Sequence, residues 1–136
     1  MKAAYLADKS ALARFPVPAV ERRLRPLMED GLIASCAIID LEVLYSARSL
    51  PDYEAVRAER RAFDDIPLTP DVMARALAVQ HALARTGHHR VSIPDLIIAA
   101  AAESAYLTVL HYDSDFERIA NLTGQAQEWV VPRGSL

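Results

Sequence analysis

The chain has 136 residues, 52% of them hydrophobic, which fits one domain spanning residues 1–136 with its own core and leaves little room for a second. A formal net charge of −3 excludes a global basic field, so any polyanionic partner must be held by a local patch. One cysteine, Cys36, excludes an internal disulfide or a multi-thiolate zinc site, and suits a reducing, cytoplasmic compartment.

The first apolar run, Ala3 to Ala7, reads as a strand closed by Asp8, and it is too short for a signal-peptide core or a membrane span. Val20, Leu24, Leu27 and Met28 recur at helical spacing and predict a helix over 20–30, followed by a short strand at 32–34. Ala37 to Arg48 reads as an amphipathic helix stopped before Pro51. Tyr53 to Phe63 reads as an arginine-laced helix ahead of a brief strand around Ile66. Thr69 caps a helix with Pro70 at its first position, running to Ala84 and ending near Gly87. After the 87–92 loop, Pro94 opens a helix to Ser104. A strand at 107–112, a short helix at 116–121 and a terminal strand at 128–130 complete the chain. This alternation predicts an α/β fold with a parallel, five-stranded sheet flanked by helices on both faces.

Four acids stand where acid is hardest to explain structurally. Asp8 and Asp113 close apolar strands, at the carboxyl ends where open α/β sheets place their ligands. On a helical wheel Ala37, Ile38, Leu41, Leu44 and Tyr45 share one arc, with Glu42 at its core-facing edge and Asp40 on the opposite, solvated side. A salt bridge would also explain Glu42, and helix capping would also explain Asp95, which opens a segment apolar on every side. Ser114 and Glu117 stand at capping-box spacing, which leaves Asp113 free for other work. Asp115 reads equally as a metal ligand, a water-binding neighbour or a helix-dipole partner. Ser10 can orient Asp8 or cap the next turn. Carboxylates gathered without a cation would repel one another, and an all-oxygen ligand set selects Mg²⁺ or Mn²⁺ over zinc.

Four segments then carry a resemblance: Asp8-Lys9-Ser10-Ala11, Leu41-Glu42-Val43-Leu44-Tyr45, Pro94-Asp95-Leu96-Ile97-Ile98-Ala99-Ala100 and His111-Tyr112-Asp113-Ser114-Asp115-Phe116. Together, and in this order, they resemble a PIN-domain ribonuclease of the VapC-type toxins of bacterial toxin–antitoxin pairs. The resemblance implies a homodimer, metal-dependent endonucleolytic cleavage of RNA (transfer RNA among the candidate substrates), and a small VapB-like antitoxin whose C-terminal segment blocks the site. It makes Asp8, Glu42, Asp95 and Asp113 the catalytic, metal-binding quartet, Asp115 their acidic neighbour and Ser10 their hydroxyl support. Lys9 and Asp40 are less usual for the family.

Acids repel the RNA backbone, so cations near the cleft must supply phosphate contacts; Lys9, Arg14, Arg22, Arg23 and Arg25 are the candidates. His88 and His89 read as surface loop, His81 as solvent-facing, His111 as core or near-site, and Trp129 and Cys36 as core. Two rival readings are phosphoryl transfer through Asp8, weakened by the missing second aspartate two residues on, and a non-catalytic binding module, whose expected signature is loss of an acid.

Overall fold

The computed structural model describes residues 1–136, and its elements in chain order are β1 (Tyr5–Ala7), α1 (Lys9–Leu12), α2 (Pro18–Glu29), β2 (Ile33–Ser35), α3 (Ala37–Tyr45), α4 (Leu50–Arg60), β3 (Asp64–Asp65), α5 (Pro70–Ala84), α6 (Ile93–Ser104), β4 (Thr108–His111), α7 (Asp115–Thr123) and β5 (Gln127–Trp129). The five strands form one sheet in the order β3-β2-β1-β4-β5, every neighbouring pair parallel. The α/β expectation of a five-stranded parallel sheet is met.

Successive strand residues point to opposite faces, and each face has its own core. Leu6, Ala34 and Val109, in register across three strands, enter a cluster built with Ile39 of α3, Val72, Val79 and Leu83 of α5, Ile98 and the alanines of α6, and Phe116 and Ile119 of α7. Ala7, Ile33 and Leu110 enter the other, with Ala11 of α1 and Val20 and Leu24 of α2. Helices therefore cover both faces. Each fully buried Leu, Ile or Phe stabilises this arrangement by about 1.5–3 kcal/mol relative to exposure. The alanine run Ala99–Ala102 lets α6 approach the sheet and α5 closely, which buries most of the helix, Asp95 included. No helix is long and apolar enough to cross a membrane.

Most boundaries fall within three residues of expectation, and the Thr69 cap is present, its hydroxyl oxygen accepting from the Val72 amide at 3.2 Å. Helix α1 is additional; its four residues are too short to display a helical period. The wheel for α3 needs correcting. Ile39 is its buried residue, whereas Leu41 and Tyr45 are 62% and 88% exposed, so that part of the apolar arc faces outward while Ile38 packs on the core. Asp40 is not a solvated charge either: it accepts from Arg60 Nε at 2.9 Å and from Ser35 Oγ at 2.8 Å, tying α3 to α4 and to the end of β2.

Candidate active site

The parallel sheet sends β1 and β4 out side by side, and their exits are stitched together. The Asp8 amide donates to the Leu110 carbonyl at 2.9 Å, and Ser10 Oγ accepts from the Tyr112 amide at 2.8 Å. Asp8 is the N-cap of α1, with Oδ2 accepting from the Ser10 amide at 3.0 Å. Ser10 thus holds Asp8 and also joins the two strand ends.

Asp113 is fixed from three directions. Its amide donates to His111 Nδ1 at 3.1 Å, its Oδ1 accepts from the Asp115 amide at 3.0 Å, and its carbonyl accepts from Phe116 at 3.3 Å. Ser114 makes no side-chain cap bond. The expected capping box is therefore absent and Asp113 itself closes the turn, leaving one of its oxygens for other work. His111 is fully buried, and with Nδ1 accepting, Nε2 donates to Gln127 Oε1 at 2.6 Å. Burial also holds its pKa below the usual histidine range, so the ring is neutral and acts as a positioning group for Asp113.

Asp95 arrives from the first turn of α6, only 4% exposed, and its Oδ2 has no hydrogen-bond partner. It is not a cap. Asp115 accepts from the Ser92 amide through Oδ2 at 3.0 Å, which pins the α5–α6 loop against the start of α7. Asp95, Asp113 and Asp115 each place a carboxylate oxygen within 4.8 Å of the others. Asp8 and Glu42 face the same group: burial first, then the charge of Asp8, raises the pKa of Glu42, with Lys9 opposing, and Glu42 Oε1 is buried without a partner. Burial likewise raises Asp8, against the hydrogen bonds from Ser10. Asp95 is pushed up to about 9, chiefly by burial and then by Asp8 and Asp113. Two orphaned carboxylate oxygens in this acidic cluster fit a bound cation.

The basic candidates divide. Lys9 is close enough to Glu42 to lower its pKa, and Arg14 lies beside Ser10, donating to its carbonyl at 2.7 Å and stacking over Tyr112 at 4.7 Å. Arg23 and Arg25 are engaged with Glu128 and Glu21, both at 2.8 Å, and Arg22 is exposed on the same helix. Trp129 departs from the core placement its apolar strand suggests. It is half-buried, its indole N–H donating to Glu117 at 2.5 Å and its ring 5.0 Å from that of His111. Cys36 is buried, and desolvation pushes its thiol up to about 11.

The PIN domain family model matches residues 5–122, most of the chain and all five acids. The chain belongs to the PIN-domain family. Within it, this PIN domain is 53% identical over 137 residues to ribonuclease VapC21 of Mycobacterium tuberculosis, a match covering 99% of both chains. It is 46% identical to ribonuclease VapC51 of the same organism, over 97% of this chain and 96% of the other. Among solved structures, the PIN domain is similar to a chain of the DNA-bound VapBC from Salmonella typhimurium, with a TM-score of 0.76, 20% identity, and 95% and 99% coverage of the two chains. At that identity the structural likeness concerns the fold, and the VapC grouping rests on the sequence relatives.

Proposed function

We propose that this PIN domain is a metal-dependent endoribonuclease and the toxin of a toxin–antitoxin pair. The observation that carries the reading is the convergence of Asp8, Glu42, Asp95, Asp113 and Asp115 with two buried oxygens left unpartnered. This all-carboxylate set fits a hard divalent cation, Mg²⁺ or Mn²⁺, held by Asp95, Asp113 and Asp115 with Asp8 and Glu42 beside them. A cation bound there supplies positive charge that polarises a phosphodiester and acidifies water. The chain's own groups do the rest: Ser10 orients Asp8, His111 orients Asp113, and Lys9 and Arg14 at the rim steady the phosphate backbone. No nucleophilic side chain is needed. Cleavage of total RNA by the purified chain with Mg²⁺, with Mn²⁺ and with a chelator tests the reading. Discrete fragments that require metal are expected; fragments that persist in chelator would sink the metal-dependent mechanism, and intact RNA from a folded, metal-loaded protein would sink the ribonuclease reading.

The raised carboxylates give this reading a second readout. A folded protein that holds a proton on Asp95 up to about pH 9, where the unfolded chain releases it near 3.8, loses stability as pH rises between those values. In chelator, the melting temperature is therefore expected to fall from about pH 5.5 to about pH 8.5, and Mg²⁺ or Mn²⁺, by favouring the charged form, to flatten or reverse the fall. A metal-free melting temperature that rises over that range would contradict the assignment.

A groove of about 740 Å³ between α2 and α4 supports the antitoxin partner. It is lined by Leu12, Phe15, Met28, Val43, Val56 and Phe63, with Arg25 and Glu59 at its edges, and Val43 adjoins Glu42. An apolar antitoxin segment seated there ends beside the acids, where it can block them. The outward arc of α3, with Leu41 and Tyr45, continued by exposed Leu50 on α4, offers a second copy of the chain an apolar face. Light scattering is expected to give a dimer mass that Tyr45→Lys reduces to the monomer; a wild-type monomer would remove this part of the proposal.

A further inference from the structure

We propose that the RNA strand leaving the acids is held in the cleft between the α5–α6 loop and α7, with Arg118 and Arg133 as its phosphate-contact residues. The proposal rests on the ribonuclease reading and assigns cations that the sequence pattern does not single out.

The cleft has a volume of about 440 Å³ and is mostly polar, with Thr86, His88, Ser114, Arg118, Asn121 and Arg133 among its lining residues. Ser114 lies between Asp113 and Asp115 in the chain, so the cleft opens at the edge of the acid cluster. The Asp115 to Ser92 hydrogen bond at 3.0 Å keeps its other wall, the α5–α6 loop, in place. Arg118 is exposed and makes no ion pair. Arg133 is held over the Trp129 ring at 5.5 Å and reaches Glu117 Oε2 at 3.2 Å, yet its side chain is 62% exposed and presents free donors. The lining holds two guanidinium groups and one carboxylate, Glu117, which is divided between Arg133 and the Trp129 N–H, so the cleft keeps a positive excess in a chain whose net charge is −3. Threonine, serine and asparagine side chains complete a lining suited to phosphate and ribose hydroxyls.

The other arginine-rich hollow, about 370 Å³ with Arg57, Arg60 and Arg61, is a poorer candidate. Arg60 is consumed by Asp40 and Ser35, Asp65 offsets a further charge, and Asp40 lies about 200° around α3 from Glu42, on the flank away from the acids.

The test uses the full chain and a fluorescein-labelled single-stranded oligoribonucleotide of mixed sequence, with binding followed by anisotropy across a salt series and total-RNA cleavage assayed in parallel. The double exchange Arg118→Gln with Arg133→Gln is expected to weaken binding about tenfold and to lower the slope of log affinity against log salt by about 1.4, ~0.7 for each phosphate no longer neutralised. It should raise KM with kcat nearly unchanged, and Arg118→Lys with Arg133→Lys should restore most of the affinity. Wild-type affinity and slope in the folded glutamine variant, while wild type binds and cleaves, would overturn the cleft and leave the ribonuclease reading standing. An equal loss in Arg57→Gln with Arg61→Gln would also overturn it, moving the strand to the other side of α3. A wild-type chain that neither binds nor cleaves RNA would remove the ribonuclease reading and the cleft with it.

Discussion

Asparagine in place of Asp95 is expected to lower metal-dependent RNA cleavage at least about a hundredfold while leaving the metal-free protein as stable as wild type or more so. Two facts combine in this expectation. Asp95 is buried with an unpartnered oxygen and a pKa of about 9, so without a cation it is protonated at neutral pH, and the neutral amide of asparagine copies its size and charge at little cost. With a cation the carboxylate charge is required, and asparagine withholds it. The melting temperature gained on adding Mg²⁺ or Mn²⁺ should therefore shrink sharply in the variant. Undiminished cleavage, or an unchanged metal-induced shift, would show that Asp95 is not part of the site.

Alanine in place of Arg60 is expected to act on the other side of the protein's balance, costing about 2–3 kcal/mol of stability with little change in cleavage per folded molecule. The guanidinium is 8% exposed, donates to Asp40 at 2.9 Å and to Ser35 Oγ at 2.6 Å, and lies over Phe63 at 4.6 Å. Its loss leaves the half-buried Asp40 carboxylate with Ser35 Oγ as its one remaining hydrogen-bond donor, and opens a cavity over Phe63. Asp40 is 30% exposed, so water relieves part of the penalty and the cost stays below that of a fully buried pair. Asp40→Asn, which keeps an acceptor for Arg60, is expected to cost about 1 kcal/mol. Urea unfolding measures both, and a midpoint unchanged in Arg60→Ala would show that the network contributes nothing.

Much of the sheet and the placing of the acids are legible in the sequence because strand-end acids are local signals: an apolar run closed by Asp8 or Asp113 has few structural explanations. The α3 helix shows where that reasoning runs out. A helical wheel treats its apolar arc as inward, but Leu41 and Tyr45 face out, and Glu42 reaches the acids because Ile39 and Val43 face in. An apolar face that stays exposed looks the same in sequence as one that enters the core. Asp40 escapes the wheel for a related reason, since its partner Arg60 is twenty residues away and no local pattern links them. The Asp113 turn differs at finer grain: Ser114 and Glu117 have capping-box spacing, yet Asp113 takes the amide and Glu117 is spent on Trp129 and Arg133. The basic residues are hardest to choose, because arginines on an exposed helix carry no sequence mark of which way they point. Lys9 and Arg14, tied to the acids by adjacency, are the ones that adjacency can place.

The strand order β3-β2-β1-β4-β5 also times the appearance of activity. Tyr5 pairs with Thr108 and Ala7 with Leu110, so Asp8 meets Asp113 and Asp115 only after β4 slots in beside β1, and α6 with its Asp95 precedes β4 in the chain. A growing polypeptide on the ribosome carries Asp8 and Glu42 for most of its synthesis without the acids that join them. Prematurely terminated products lacking β4 lack Asp113 and Asp115 as well. The acid cluster is completed only in the last stretch of translation, after most of the chain has been made.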